Sequence, residues 1–207
     1  MKKELKLYRC TISENDNDKA EVDFVALVEN PAIKENFLAF NEQAQRQTFE
    51  ITNEDEKIVT GLAMVADMPI YRNMEGREFY TFFDAATIKQ IAQRFFRKKY
   101  NFNLNLNHNP EYKVNDVYLF ESWIVDRESG KLPMQQFKDV ADGSWFISAK
   151  IDNEEIWQAI KRGEFKGFSI EGFFDMQEIN FKEQEAPEMT ESEFDAALLE
   201  LVQAAPF

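Results

Sequence analysis

Asn101-Phe102-Asn103-Leu104-Asn105-Leu106-Asn107-His108-Asn109 alternates polar and apolar residues without a break. A period of two is that of a β-strand, so the stretch predicts a strand with one polar and one apolar face. His108 has the parity of Phe102, Leu104 and Leu106. This reading turns it toward the apolar set, at the end of the strand, where Asn109-Pro110 breaks the pairing. Downstream, Val117–Val125 and Ser144–Ile151 read as two more strands, separated by a polar connection over 127–143. Asp152 or Asn153 caps a short helix that Gly163 ends, and Gly167-Phe168-Ser169-Ile170-Glu171-Gly172-Phe173-Phe174 is a strand bracketed by glycines.

Upstream, Asp84 caps a helix in which Ile88, Ile91, Ala92 and Phe95 recur at i, i+3, i+4 and i+7. Its last turns carry Arg94, Arg97, Lys98 and Lys99, cations suited to the negative end of a helix dipole. Ile58–Val65 reads as an apolar strand, residues 41–57 as a polar excursion around a short strand at Thr48–Ile51, and residues 20–28 as a strand that Asn30-Pro31 ends. No internal repeat is visible. Many strands with two or three helices between them predict an α+β, mainly β domain with a barrel-like core. The expected organisation is a domain over 1–180, an acidic linker over 181–189 and an amphipathic helical tail over 190–207. The tail opens on the capping box Thr190-Glu191-Ser192-Glu193 and places Phe194, Ala197, Leu198, Leu201 and Val202 on one face.

Composition narrows the chemistry. The 207 residues include 20 Phe, 6 Tyr and 3 Trp, enough for a packed core. Against 24 basic residues stand 38 acidic ones, a net charge of −14 that repels phosphate backbones and anionic lipid, so neither nucleic acid nor a membrane is the expected partner. No stretch approaches the roughly 18 to 20 apolar residues of a membrane span, and the charged first residues do not read as a signal peptide. One Cys and one His, Cys10 and His108, supply no metal-ligand pair, and no phosphate-binding glycine motif is present; no metal and no cofactor is expected. Nucleophilic catalysis is the remaining scheme with residues behind it. Among seven serines only Ser169 lies in a glycine-flanked apolar strand. A serine hydroxyl needs a base to take its proton, and the single histidine makes His108 that base.

Leu106-Asn107-His108, Leu119-Phe120-Glu121-Ser122-Trp123, Gly143-Ser144-Trp145, Glu155-Ile156-Trp157 through Lys161-Arg162-Gly163-Glu164, and Gly167-Phe168-Ser169-Ile170-Glu171-Gly172 resemble, in order and spacing, the XkdF-like phage prohead proteases. Val25-Ala26-Leu27-Val28-Glu29-Asn30-Pro31-Ala32 is similar to that family's opening motif. The resemblance, over roughly residues 20–175, implies a serine endopeptidase of capsid maturation with a fold related to the herpesvirus assemblin proteases. Its substrates would be extensions of the phage scaffold and major capsid proteins. It would act inside the prohead in the host cytoplasm, with a homodimer or higher oligomer among its expected forms. Position by position, Ser169 matches the nucleophile and His108 the general base. The third member departs from the pattern. Assemblins use a second histidine, and related prohead proteases place an acid or histidine before a strand that here stands at Val25–Val28, as in a circular permutation; the matching residue is Phe24. The candidates for the third role are Glu121, between Leu119 and Trp123, then Asp23, whose parity requires a bulge; Glu171 shares the parity of Ser169 but lies only two residues away. A non-catalytic capsid-assembly or cargo protein on a protease-derived fold is the alternative.

Overall fold

The computed structural model describes residues 5–13, 22–29 and 48–179; the acidic linker and the 190–207 tail lie outside the described residues. In chain order the strands are β1 (Leu7–Thr11), β2 (Val22–Val28), β3 (Glu50–Asn53), β4 (Ile58–Met64), β5 (Ile70–Met74) and β6 (Arg77–Phe82). Helix α1 (Ala85–Arg97) follows, then β7 (Leu104–Leu106), β8 (Asn109–Lys113), β9 (Val117–Ile124), β10 (Trp145–Ile151), helix α2 (Glu154–Lys161), β11 (Gly167–Gly172) and β12 (Asp175–Ile179). The strands form three four-stranded sheets, ordered β12-β1-β6-β5, β3-β4-β10-β9 and β11-β2-β7-β8. The architecture is α+β and mostly β. No sheet among the described residues closes into a barrel: each runs from one edge strand to another.

β10 explains why the sheets pack as they do. Trp145, Ile147, Ala149 and Ile151 enter the main core with Val25 and Leu27 of β2, the apolar face of α1 and Ile156, Trp157 and Ile160 of α2. Its other face brings Phe146 against Leu62, Val125, Phe137 and Val140. A strand buried on both sides has no use for polar alternation, and its near-continuous apolar run follows from that. Each large side chain buried here stabilises the fold by about 1.5–3 kcal/mol.

The helices start where their caps place them. The Asp84 carboxylate accepts from the Thr87 N–H at 2.7 Å, and the Asn153 side chain accepts from the Ile156 N–H at 3.1 Å. Burial pushes the Asp84 carboxyl up, but hydrogen bonds from Thr87 and the nearby Arg9 guanidinium together hold it below its ordinary value. That contribution to stability is present above the unfolded carboxyl's pKa and is lost as the pH falls through the folded one. The start of α1 also constrains a loop. Gly143 has φ +90°, and a Cβ added there would lie 2.2 Å from the Ala85 Cβ. Left-handed backbone and a clash with the helix backbone act together, so Gly143→Ala is expected to cost at least about 3 kcal/mol, read as a lowered urea midpoint.

Two local expectations change, and one hairpin is new. The alternating stretch 101–109 is a strand only over Leu104–Leu106. Tyr100–Phe102 is a one-turn 3-10 helix that leaves Phe102 exposed, and Asn107 and His108 both have positive φ, 51° and 60°. Leu106 pairs with Asn109 across those two residues, so His108 sits in a tight hairpin turn and not in the apolar row. The strand expected at Thr48–Ile51 runs Glu50–Asn53, with Thr48 making a separate bridge to Gly167. The hairpin β5–β6, turning at Glu75-Gly76 with φ 51° and 81°, was not anticipated; its Tyr, Arg, Asn and Glu carry no apolar period.

Candidate active site

The strand carrying Ser169 is held by β2. β11 runs antiparallel to β2, and β2 runs parallel to β7, which leads into the His108 turn. Ser169 pairs with Ala26, and Ala26 pairs with Asn105. Residues paired across a sheet project to the same side, so Ser169, the Ala26 methyl and Asn105 form one row. Two strands at about 4.8 Å spacing put the backbones of Ser169 and Asn105 about 10 Å apart. Glu171, two residues beyond Ser169, projects from the same face and pairs with Phe24.

The side chains converge on the Glu171 carboxylate. Asn105 Nδ2 donates to Glu171 Oε2 at 2.6 Å, and His108 Nδ1 lies 3.6 Å from the same oxygen. The hairpin turn therefore folds the imidazole back over the face that carries Ser169. A distance of 3.6 Å is longer than a hydrogen bond and closes to one with a small side-chain rotation, a looseness common in sites without substrate. The Ser169 hydroxyl makes no hydrogen bond among the described residues, and Ser169 is one of the residues lining a cleft with Met64, Met68, Ile70, Arg72 and Phe83, among others. Asn105 is fully buried, and its Oδ1 has no hydrogen-bond partner among the described residues. Its amide orientation follows from the carboxylate, because only the NH₂ end can face Glu171.

The other sequence candidates for the third role are placed differently. Ser148 pairs with Glu121 and Ala149 with Leu119, so Phe120 is the extra residue of a β-bulge, and Glu121 turns to the face opposite Leu119. There it accepts from Ser148 Oγ at 2.5 Å, at the end of a hydroxyl chain through Thr60 and Thr52, with contacts of 2.9 and 3.0 Å. Glu121 belongs to the β3-β4-β10-β9 sheet and makes no hydrogen bond or ion pair with His108. Asp23 does lie at a bulge, since Glu171 pairs with Phe24 and Gly172 with Val22. Its backbone carbonyl accepts from Asn103 Nδ2 at 3.1 Å. Sequence reasoning passed over Asn105 entirely. The one signal for it was its position three residues before the only histidine.

No curated protein and no solved structure matches the chain. A family model does, over residues 45–178, a span that holds His108, Ser169, Glu171 and Glu121 and leaves β2, with Asp23 and the Val25–Ala32 motif, outside. That span exceeds half of the 207 residues, and the chain belongs to the family described as "Putative phage serine protease XkdF".

Proposed function

We propose that the chain is a serine endopeptidase of phage capsid maturation, which cleaves extensions of the scaffold and major capsid proteins inside the prohead in the host cytoplasm. The observation that supports this most directly is the gathering of Ser169, Asn105 and Glu171 on one sheet face, with His108 against the Glu171 carboxylate. In this reading Ser169 Oγ attacks the scissile carbonyl. Glu171 accepts from His108 Nδ1–H, which leaves Nε2 unprotonated and free to take the serine proton and then deliver it to the leaving amine. Asn105 holds Glu171 in place as a positioning residue. Glu171 thus takes the role first sought in Glu121 and Asp23.

The relation to assemblin proteases is part of the same proposal. It carries the expectation that copies of the chain associate, which would concentrate activity where the shell confines them. The test is co-expression with the neighbouring scaffold and capsid genes, scored for shortened products by mass spectrometry. Products that depend on Ser169 support the reading. A folded, incorporated chain that leaves both proteins intact would instead establish the non-catalytic assembly role.

A further inference from the structure

Among the described residues, the cleft that Ser169 lines has one charged group in its wall. Ile70 and Arg72 share a face of β5 and both line it, with Met64, Met68, Phe83 and Ile170; no Asp or Glu does. A guanidinium among apolar side chains ordinarily finds a carboxylate, because an ion taken out of water without one is costly. Among the described residues Arg72 makes no ion pair and no hydrogen bond. Its ionisable neighbour is Cys10, a buried thiol whose pKa burial pushes up, so it is neutral and supplies no counter-charge. Burial likewise lowers the pKa of Arg72. A partly dehydrated cation therefore lines the same cleft as Ser169, with no counter-charge opposite it among the described residues. The space is about 60 Å³, room for about two waters or for the end of one side chain.

We infer that this cleft is a substrate side-chain pocket, and that Arg72 selects a glutamate or aspartate at a fixed position next to the bond that Ser169 attacks. The inference rests on Ser169 being the nucleophile. A carboxylate entering the pocket meets a fork of N–H donors in a poorly hydrated setting, where such pairs are strongest. The apolar wall accommodates the methylenes behind it. The net charge of −14 repels acidic peptides in general, so an acidic preference needs a local cation of this kind.

Two measurements on the full-length chain separate this inference from the peptidase reading. In the first, N-acetyl-alanyl-glutamate amide and its glutamine counterpart are titrated onto the Ser169→Ala chain, followed through the ¹³C-methyl signals of Met64 and Met68. The glutamate peptide is expected to bind at least about tenfold more tightly, a preference that Arg72→Gln abolishes. Equal binding of the two, or no binding of either, overturns the inference whether or not Arg72→Gln folds. In the second, a denatured peptide library is digested with the unmodified chain and new termini are sequenced by mass spectrometry. Acidic residues concentrated at one position support the inference; cleavage without that preference overturns it and leaves the peptidase reading standing. Selective binding without any cleavage overturns the inference, which needs a bond for Ser169 to attack, and leaves the peptidase reading to the co-expression test.

Discussion

Ser169→Ala is expected to bring processing of the capsid and scaffold proteins to background while leaving the urea midpoint within about 0.5 kcal/mol of the unaltered chain. The fold loses almost nothing. Ser169 is 9% exposed, and its hydroxyl has no partner among the described residues, so its removal orphans no donor or acceptor. The backbone ladder to Ala26 is unchanged, and alanine is the residue already at the centre of that row. Chemistry loses the attacking atom. Loss of a nucleophile in comparable triads lowers turnover by about 10⁶, which over hours is no visible product. His108→Ala should be as damaging, since nucleophile and base act as a unit. Full processing by either variant would end the serine-protease reading.

Glu171→Gln is expected to lower the cleavage rate by about 10⁴, the order seen when a triad carboxylate loses its charge, and Glu121→Gln to leave it within about twofold. Glutamine keeps the length of the side chain but not its negative charge. The amide no longer balances the imidazolium that forms as Ser169 gives up its proton, and its NH₂ end favours the wrong histidine tautomer. Glu121 has no such role, because its partner is Ser148 on the neighbouring strand of another sheet. Single-turnover kinetics on a cleaved peptide separates the two variants. Loss of activity in Glu121→Gln with a silent Glu171→Gln would reverse the assignment, and two silent variants would leave Ser169 and His108 as a dyad.

Part of this site was legible in the residues themselves. The glycines at 167 and 172 bracket β11 and single out Ser169, and the caps at Asp84 and Asn153 start their helices. The remainder was hidden for physical reasons. Alternation over 101–109 has no feature that says where the chain reverses, and Asn107-His108 lacks the glycine that ordinarily marks a turn with positive φ. A bulge inserts one residue without changing composition, so nothing in the sequence shows that Glu121 faces away from Leu119. Asn105 reads as a solvent-facing residue, and only a carboxylate arriving from β11 makes its burial tolerable.

Strand β2 lies between the strands that carry Ser169 and lead to His108, and this has a consequence for when activity can begin. On the ribosome β2 is made before both, β7 about 80 residues later and β11 about 140 residues later, a delay of about 7–28 s at synthesis rates of about 5–20 residues per second. Until β11 emerges, one long edge of β2 has no partner, and the row of Ser169, Ala26 and Asn105 does not exist on the unfinished chain. A nick or truncation that removed residues 22–28 would leave β7 and β11 with a missing strand between them, even with every residue of the family match intact. On the proposed reading, cleaving competence therefore requires β2 in addition to the span that the family model matches.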